Sequence, residues 1–400
     1  MRNKNILRQL LSLLLFVASH QVVCAQIPGD TLDVKENNPF TSGKYTISAT
    51  SSVAGSNIRG QAESSLSNLL SGRVAGLTVM HSAGMPGENL PQIFIRGKST
   101  YMGTSILVYV DGFESSRNFL VPEEIEKITV LKDAVALATY GIRGANGVIL
   151  VETKRGQAGN LKIGVGVKTG ISKPINKPDF LDAHGYASLY NEAISNDLGS
   201  WSPYYTDDEL AHYKNGSDPD FYPNVNWLDE VLKNQTHFEE VNVSLQGGGS
   251  NVNYYTMVNF TNTPQLFRTN DNSFAKSIKS VNAYTKLNVR GNIDVKINDI
   301  FGIKVNIGGA ILNMDTPNSG KIFTLTNSLP PNAFPVRNTN GSWAASSTYP
   351  DNPLAELHAT GKKNYHKRYL QSDLILKQDL SKFLKGLSFS EAVSFWGYGN

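Results

Sequence analysis

Val281-Asn-Ala-Tyr-Thr-Lys-Leu-Asn-Val-Arg-Gly-Asn-Ile-Asp-Val-Lys-Ile297 puts every aliphatic side chain at an odd position. A period of two is the signature of a strand with one apolar and one polar face. Asn298-Asp299 then makes a turn, and Phe301, Ile303, Val305 and Ile307 begin the next strand. Upstream, Leu161, Ile163, Val165, Val167 and Ile171 share one parity, against Lys162, Gly164, Gly166, Lys168 and Gly170. Val241, Val243 and Leu245 repeat the pattern, Gly247 to Ser250 turns the chain, and Val252, Tyr254, Val258 and Phe260 return. Leu374 with Leu376, and Leu387 with Phe389, Val393 and Phe395, start a further pair. Two architectures produce such alternation: a soluble antiparallel sandwich, and an outer-membrane barrel with its apolar face outward. Long polar stretches (197–230 and 315–364) alternate with tight turns, which is the end-to-end asymmetry of a barrel.

Before residue 157 the pattern is mixed. Leu66, Leu69, Leu70 and Val74 fall at helical spacing, followed by the short strand Leu77-Thr78-Val79. Ile93 to Ile95, Ser105 to Val110, Lys127 to Leu131 and Gly147 to Val151 read as strands. Pro122 to Ile125 starts a helical turn, and Asp133 to Tyr140 is a short helix capped by Asp133 and closed by Gly141. The expectation is a compact α+β domain over 46–156.

The 400 residues are 40% hydrophobic and 18% charged, the profile of a folded chain. Arg2, Lys4 and Arg8 precede the apolar run Leu10 to Ala18, and Val23-Cys24-Ala25 precedes Gln26, as in a cleaved secretory signal over 1–25. Removing it leaves 34 basic against 34 acidic residues, which argues against a nucleic-acid partner. The sole cysteine, Cys24, lies in that leader, so disulfide scaffolds and thiol chemistry are not expected. The apolar run is too short for a spanning helix, which needs about 20 residues. Residues 26–45 are polar and rich in turn formers, and read as an extension.

Five stretches of the mixed domain, in order, resemble the plug of SusC/RagA-like TonB-dependent outer-membrane transporters. They are Ser67-Asn-Leu-Leu-Ser-Gly-Arg-Val-Ala-Gly-Leu-Thr-Val79, Ile93-Phe-Ile-Arg-Gly97, Leu107-Val-Tyr-Val-Asp-Gly112, Ile128-Thr-Val-Leu-Lys-Asp-Ala134 and Tyr140-Gly-Ile-Arg-Gly-Ala-Asn-Gly-Val-Ile-Leu-Val151. The match continues through Phe180 to Ala183, Tyr186 to Ala193, Pro330 to Val336 and Asn340 to Trp343. The resemblance implies an α+β plug followed, over 157–400, by the N-terminal part of an antiparallel transmembrane β-barrel, of the 22-stranded type if complete. It also implies import of oligosaccharides or other large nutrients, with a SusD-like lipoprotein as extracellular lid and TonB, driven by ExbB and ExbD, as energy source. A complete barrel at the observed strand spacing needs on the order of 650 residues. The sequence is therefore expected to be an N-terminal portion, unable to transport alone. A periplasmic binding protein with a soluble sandwich, and a siderophore or cobalamin receptor, are the alternatives.

Several residues are candidates for particular roles. Asp30-Thr31-Leu32-Asp33-Val34 fits a Ton box, a free extended segment that adds a strand to TonB. Arg96-Gly97 and Arg143-Gly144 place guanidinium groups to pair with barrel acids, or else are solvated turns. Asp111-Gly112 reads as a strand-ending turn. Trp201, Tyr204, Tyr205 and Trp227 fall in a long polar stretch suited to a glycan, a lid protein or loop packing. Tyr254 and Tyr284 are candidates for the aromatic girdle. Adjacent acids such as Glu123-Glu124 read as solvated turns. No cofactor, metal or catalytic constellation is expected: the seven histidines contain no pair at helical metal spacing, no Gly-x-Ser-x-Gly elbow occurs, and Gln92 stands where a phosphate loop ending in Gly97-Lys98-Ser99 needs glycine.

Overall fold

The computed structural model describes residues 48–399 apart from 61–64, 82–83, 86, 88–89, 100–102, 104 and 269–282. The expected leader and Ton box lie outside the described residues.

The N-terminal unit is built on a five-stranded sheet in the order β1-β6-β7-β4-β5. Its strands are β1 (Thr50–Ala54), β4 (Leu107–Val110), β5 (Phe113–Glu114), β6 (Ile125–Leu131) and β7 (Val148–Thr153), with β2 (Leu77–Met80) and β3 (Gln92–Ile95) forming a separate antiparallel pair. β4 and β7 run parallel, and the other pairs are antiparallel. β7 lies inside the sheet, where Val148, Ile149 and Val151 are buried while Glu152 stays half-exposed. Ile128 and Val130 of β6, Val108 and Val110 of β4, and Ile149 and Val151 of β7 form the core with Ile58, Leu66, Leu69, Leu70 and Val74. Burying each such side chain contributes roughly 1.5–3 kcal/mol. The expected helix is only a single turn, Leu66–Leu69, but all four residues at helical spacing are buried as expected. Asp133 caps the helix Ala134–Leu137 through the Ala136 amide at 2.9 Å.

After Thr153 the chain enters one seven-stranded antiparallel sheet in simple up-and-down order, β8 to β14. Its strands are β8 (Gly159–Ser172), β9 (Thr236–Gly248), β10 (Val252–Pro264), β11 (Ala283–Lys296), β12 (Phe301–Pro317), β13 (Lys362–Asp379) and β14 (Ser388–Gly399). Short turns follow β9, β11 and β13, whereas the long connections follow β8, β10 and β12, so all the long connections gather at one end of the sheet. The register puts residues of like character opposite one another. Val165, Val243, Val258 and Val289 form one row across four strands, and Val167, Val241, Phe260, Leu287 and Ile311 form the next. These rows remain exposed, from Leu287 at 36% to Val167 at 71%. Among the described residues no second sheet covers them, so the sandwich alternative is not the architecture. An apolar face of this extent, left bare on strands of 12 to 18 residues, is the outer face of a membrane barrel.

The long connections fold into their own apolar cluster, containing Trp227, Leu228, Val231, Phe267, Ile322, Phe334 and Leu357, with Met85 from the N-terminal unit against it. A second, smaller cluster joins the helix Ala183–Leu198 to Tyr213. No helix among the described residues is long and apolar enough to cross a membrane.

Candidate functional site

The inner face of the seven-stranded sheet meets the N-terminal unit through polar side chains. On β11 every even position from Tyr284 to Asn292 is buried: Tyr284, Lys286, Asn288, Arg290 and Asn292. Their alternation with Leu287, Val289 and Ile293 is the parity read from the sequence, and the polar set is the one that faces inward.

The centre of this seam is an ion pair between Arg290 Nε and Glu124 Oε2 at 2.6 Å, with both side chains at most 2% exposed. Glu124 Oε1 accepts the Val121 amide at 2.7 Å, which fixes the carboxylate at the start of β6. Gly308 lies directly across from Arg290 on β12. A β-carbon there would come within 2.6 Å of the guanidinium, so glycine supplies the room that the arginine occupies. On one side of the pair, Lys286 Nζ donates to the carbonyls of Asn118 and Leu120 at 3.2 and 3.1 Å, and Asn288 donates to the Phe119 carbonyl. On the other, Asn292 Nδ2 donates to Thr153 Oγ1 and to the Lys154 carbonyl, each at 2.7 Å. Lys168 of β8 bridges Glu123 of the N-terminal unit and Glu240 of β9, the latter at 3.0 Å. Where the chain leaves for β8, Arg155 contacts Asp294 at 2.8 Å and Asn306 at 3.0 Å.

Such a seam differs physically from a core. Buried ion pairs contribute little net stability, because desolvation offsets most of the attraction. Once hydrated, the same groups find water as an alternative partner, so parting the two surfaces exposes little that water rejects. Several side-chain atoms here already lack a protein partner, among them Glu123 Oε2, Arg290 Nη2, Asn292 Oδ1 and Asn306 Nδ2.

The sequence-level candidates are distributed unevenly around this geometry. Asp111 and Gly112 do form a turn, with φ of 50° and 95°. The Asp111 carboxylate accepts the Thr153 amide at 2.9 Å and the Thr153 hydroxyl at 2.5 Å, one residue removed from the seam. Arg143 binds Glu114 at 2.6 Å, within the N-terminal unit and not on a barrel strand. The pairing reach of its side chain is taken up by the neighbouring β5 acid. Arg96 has no ion-pair partner among the described residues; its backbone, with Gly97 next to it, takes positive φ, and its amide donates to the Gly76 carbonyl at 2.8 Å. Gly144 is buried against Tyr140 and Val148.

In the aromatic stretch, Trp201 and Tyr204 are 70% and 66% exposed, whereas Trp227 is buried and donates to the Pro330 carbonyl at 3.1 Å. Trp227 thus holds the loops together and presents no surface. Tyr205 is half-buried; its hydroxyl accepts from Asn332 at 3.0 Å, and burial pushes its pKa up to about 12. Tyr284 is also a correction: its even parity turns it inward, away from any girdle. The largest correction is Glu123-Glu124, expected in a solvated turn and found buried as the N-terminal unit's half of the seam. Their partners on β8 and β11 were legible as cations on the polar parity of apolar-faced strands. Among the described residues no three His, Cys, Asp or Glu side chains gather as a metal site.

Comparison with known proteins agrees with this geometry. Residues 43–148 match the TonB-dependent receptor plug domain. The chain is 27% identical over 355 residues to TonB-dependent receptor P26 of Formosa agariphila, covering 85% of this chain and 33% of that protein. It is 26% identical over 333 residues to the TonB-dependent receptor SusC of Bacteroides thetaiotaomicron, covering 74% and 30% respectively. The chain thus spans a third or less of the length of these relatives. Its fold is similar to that part of the structure of the RagAB peptide importer which it covers, with a TM-score of 0.66 at 20% identity over 86% of this chain and 40% of that one. A plug model over the α+β unit, receptor relatives running on into the strands, and a polar seam joining that unit to an apolar-backed sheet together make this chain similar to the SusC/RagA-like TonB-dependent receptors.

Proposed function

We propose that the chain serves TonB-dependent import of glycans or other large nutrients across the outer membrane, as the channel component of a SusC/SusD-type complex. One observation carries this reading: the plug is held by the buried polar seam centred on Glu124 and Arg290, while the opposite face of the same strands is a bare apolar belt. The belt suits lipid, and the seam suits a stopper that must come away from a wall. In this reading residues 1–25 direct export and are removed. Residues 26–45 carry the TonB-contacting strand at Asp30 to Val34, 46–156 form the plug, and 157–400 begin the barrel. TonB, energised by ExbB and ExbD, pulls that extension, and the seam parts to open a path. Exposed Trp201 and Tyr204 lie on the β8–β9 connection, at the end where a SusD-like lipoprotein would sit.

The test is growth of source cells on single polysaccharides. Deleting the gene should abolish growth on at least one polymer while sparing growth on its monosaccharide, and deleting TonB should reproduce the loss. Growth on every polymer unaffected by either deletion would contradict the reading.

A further inference from the structure

A cavity of about 30 Å³ opens along the seam at the end of the sheet that carries the long connections. It lies between the plug's short helical turn at Arg117–Phe119 and the inner face of β11 to β13. By volume it takes about two waters, or a group the size of a carboxylate. Two cations line it, Arg117 from the plug and Lys367 from β13, together with the polar side chains of Ser65, Ser67 and Asn118; no Asp or Glu lines it among the described residues. Neither cation has an ion-pair partner among the described residues. Arg117 Nη2 donates to the Pro91 carbonyl at 3.3 Å, a long contact, and its Nε is fully buried with no acceptor. Burial alone holds the Arg117 guanidinium below its ordinary pKa, with no carboxylate offsetting the cost.

The contrast with the rest of the seam is the informative point. Arg290, Lys168 and Arg155 are each matched to a carboxylate across the seam, and Lys286 to two plug carbonyls. A buried guanidinium donor left open is costly, so an unmatched pair of cations lining one cavity of mixed polar and apolar walls marks a place for an anion from outside. We propose that Arg117 and Lys367 form an oxyanion site for the carboxylate or sulfate of an acidic oligosaccharide reaching the top of the plug. This rests on the import reading and narrows its substrate class. Because one cation belongs to the plug and the other to the wall, a bound anion bridges the two surfaces that import must separate. An anionic nutrient group is therefore placed where its arrival changes the balance of forces on the plug.

The test uses the receptor purified from outer membranes and crystallised at low salt with selenate, the heavier isostere of sulfate. Anomalous density between Arg117 and Lys367 is expected. It should be displaced by tetragalacturonate or by a sulfated disaccharide, but not by maltotetraose, and the glycan that displaces it tells carboxylate from sulfate. In solution, Arg117→Gln and Lys367→Gln should each weaken binding of the displacing glycan about tenfold, the loss of one charge-assisted contact. Retention of heat-modifiable migration would show that both variants still fold. No density in the cavity, density unchanged in the double variant, or selenate that neither acidic glycan displaces, which would mean an adventitious ion only, each overturns the proposal. Any of these alongside intact TonB-dependent growth would sink the anion site and leave the import reading standing.

Discussion

The plug has two kinds of interior, and they are built for opposite ends. Its own core is aliphatic: Ile128, Val130, Val110 and Val151 are all at most 2% exposed. The layer between plug and barrel is equally well buried but polar, with Arg290, Lys286, Asn292, Glu124 and Asn306 at 2% exposure or less. Aliphatic packing is lost only by exposing surface that water rejects, so the core holds the plug as one body. A polar layer is indifferent to whether its partners are protein or water, provided every group has one. The difference teaches that two surfaces buried to the same depth can differ widely in what it costs to expose them.

The largest expected effect comes from unbalancing the seam. Arg290→Met leaves Glu124 buried and unpaired, and should lower the stability of the plugged state by about 3–5 kcal/mol. Adding Glu124→Leu should restore most of that loss, as measured by denaturant titration of the plug in detergent-solubilised receptor. If the double variant is no more stable than the single one, the seam is not the balanced pair described here. On the opposite face of the same strands, Val258→Arg places a charge in the apolar belt and should cost about 2–4 kcal/mol near the membrane midplane. The inward neighbour Asn259 is already in a polar setting, with its amide 3.1 Å from Glu240, so Asn259→Ser should cost less in the same refolding assay.

A smaller effect distinguishes crowding from charge. Gly308→Ala must push the Arg290 guanidinium aside, and should raise plug mobility measured by hydrogen exchange over 121–125 without changing exchange at Ile128 to Val130. The smallest effect lies in the loops. His358 is buried against Trp343, and burial, aided by Arg337, lowers its pKa below the ordinary value of about 6.5. The unfolded loop therefore binds the proton more readily than the folded one. Its contribution is complete above about pH 6.5 and is lost as pH falls below that toward the folded value. Exchange over 318–361, corrected for intrinsic rate, should be faster at pH 5 than at pH 7.5, and His358→Phe should remove that difference.

Much of this contrast was legible in the sequence, for a physical reason. Strand parity is a local property, so Leu161 to Ile171, Val241 to Phe260 and Val281 to Ile307 declared both faces before any partner was known. The turns at Gly247 to Ser250 and at Asn298-Asp299 are local for the same reason. The seam was not legible, because it joins residues far apart: Glu124 and Arg290 are 166 positions distant. Adjacent acids such as Glu123-Glu124 look solvated unless their cations are known, and parity says only that Lys168, Lys286 and Arg290 face inward. Which of the three readings Trp227 follows was hidden for a related reason. Its loop is polar on average, but Trp227, Leu228 and Val231 share one short helix whose apolar side meets Phe334 and Leu357, and composition hides that arrangement.

Spin-labelled cysteines placed singly at 241–245 and 287–292, in receptor embedded in lipid, test the separation of the two faces most directly. Accessibility to oxygen, which partitions into lipid, should peak at odd positions 241, 243, 245, 287, 289 and 291. Labels at 242, 244, 288 and 292 should be shielded from oxygen and from a water-soluble nickel chelate alike, with chelate access rising at 288 and 292 once the Glu124–Arg290 pair is removed, as a label at 290 itself removes it. Equal oxygen access at both parities, or chelate access at the odd positions, would contradict the assignment of one face to lipid and the other to the plug.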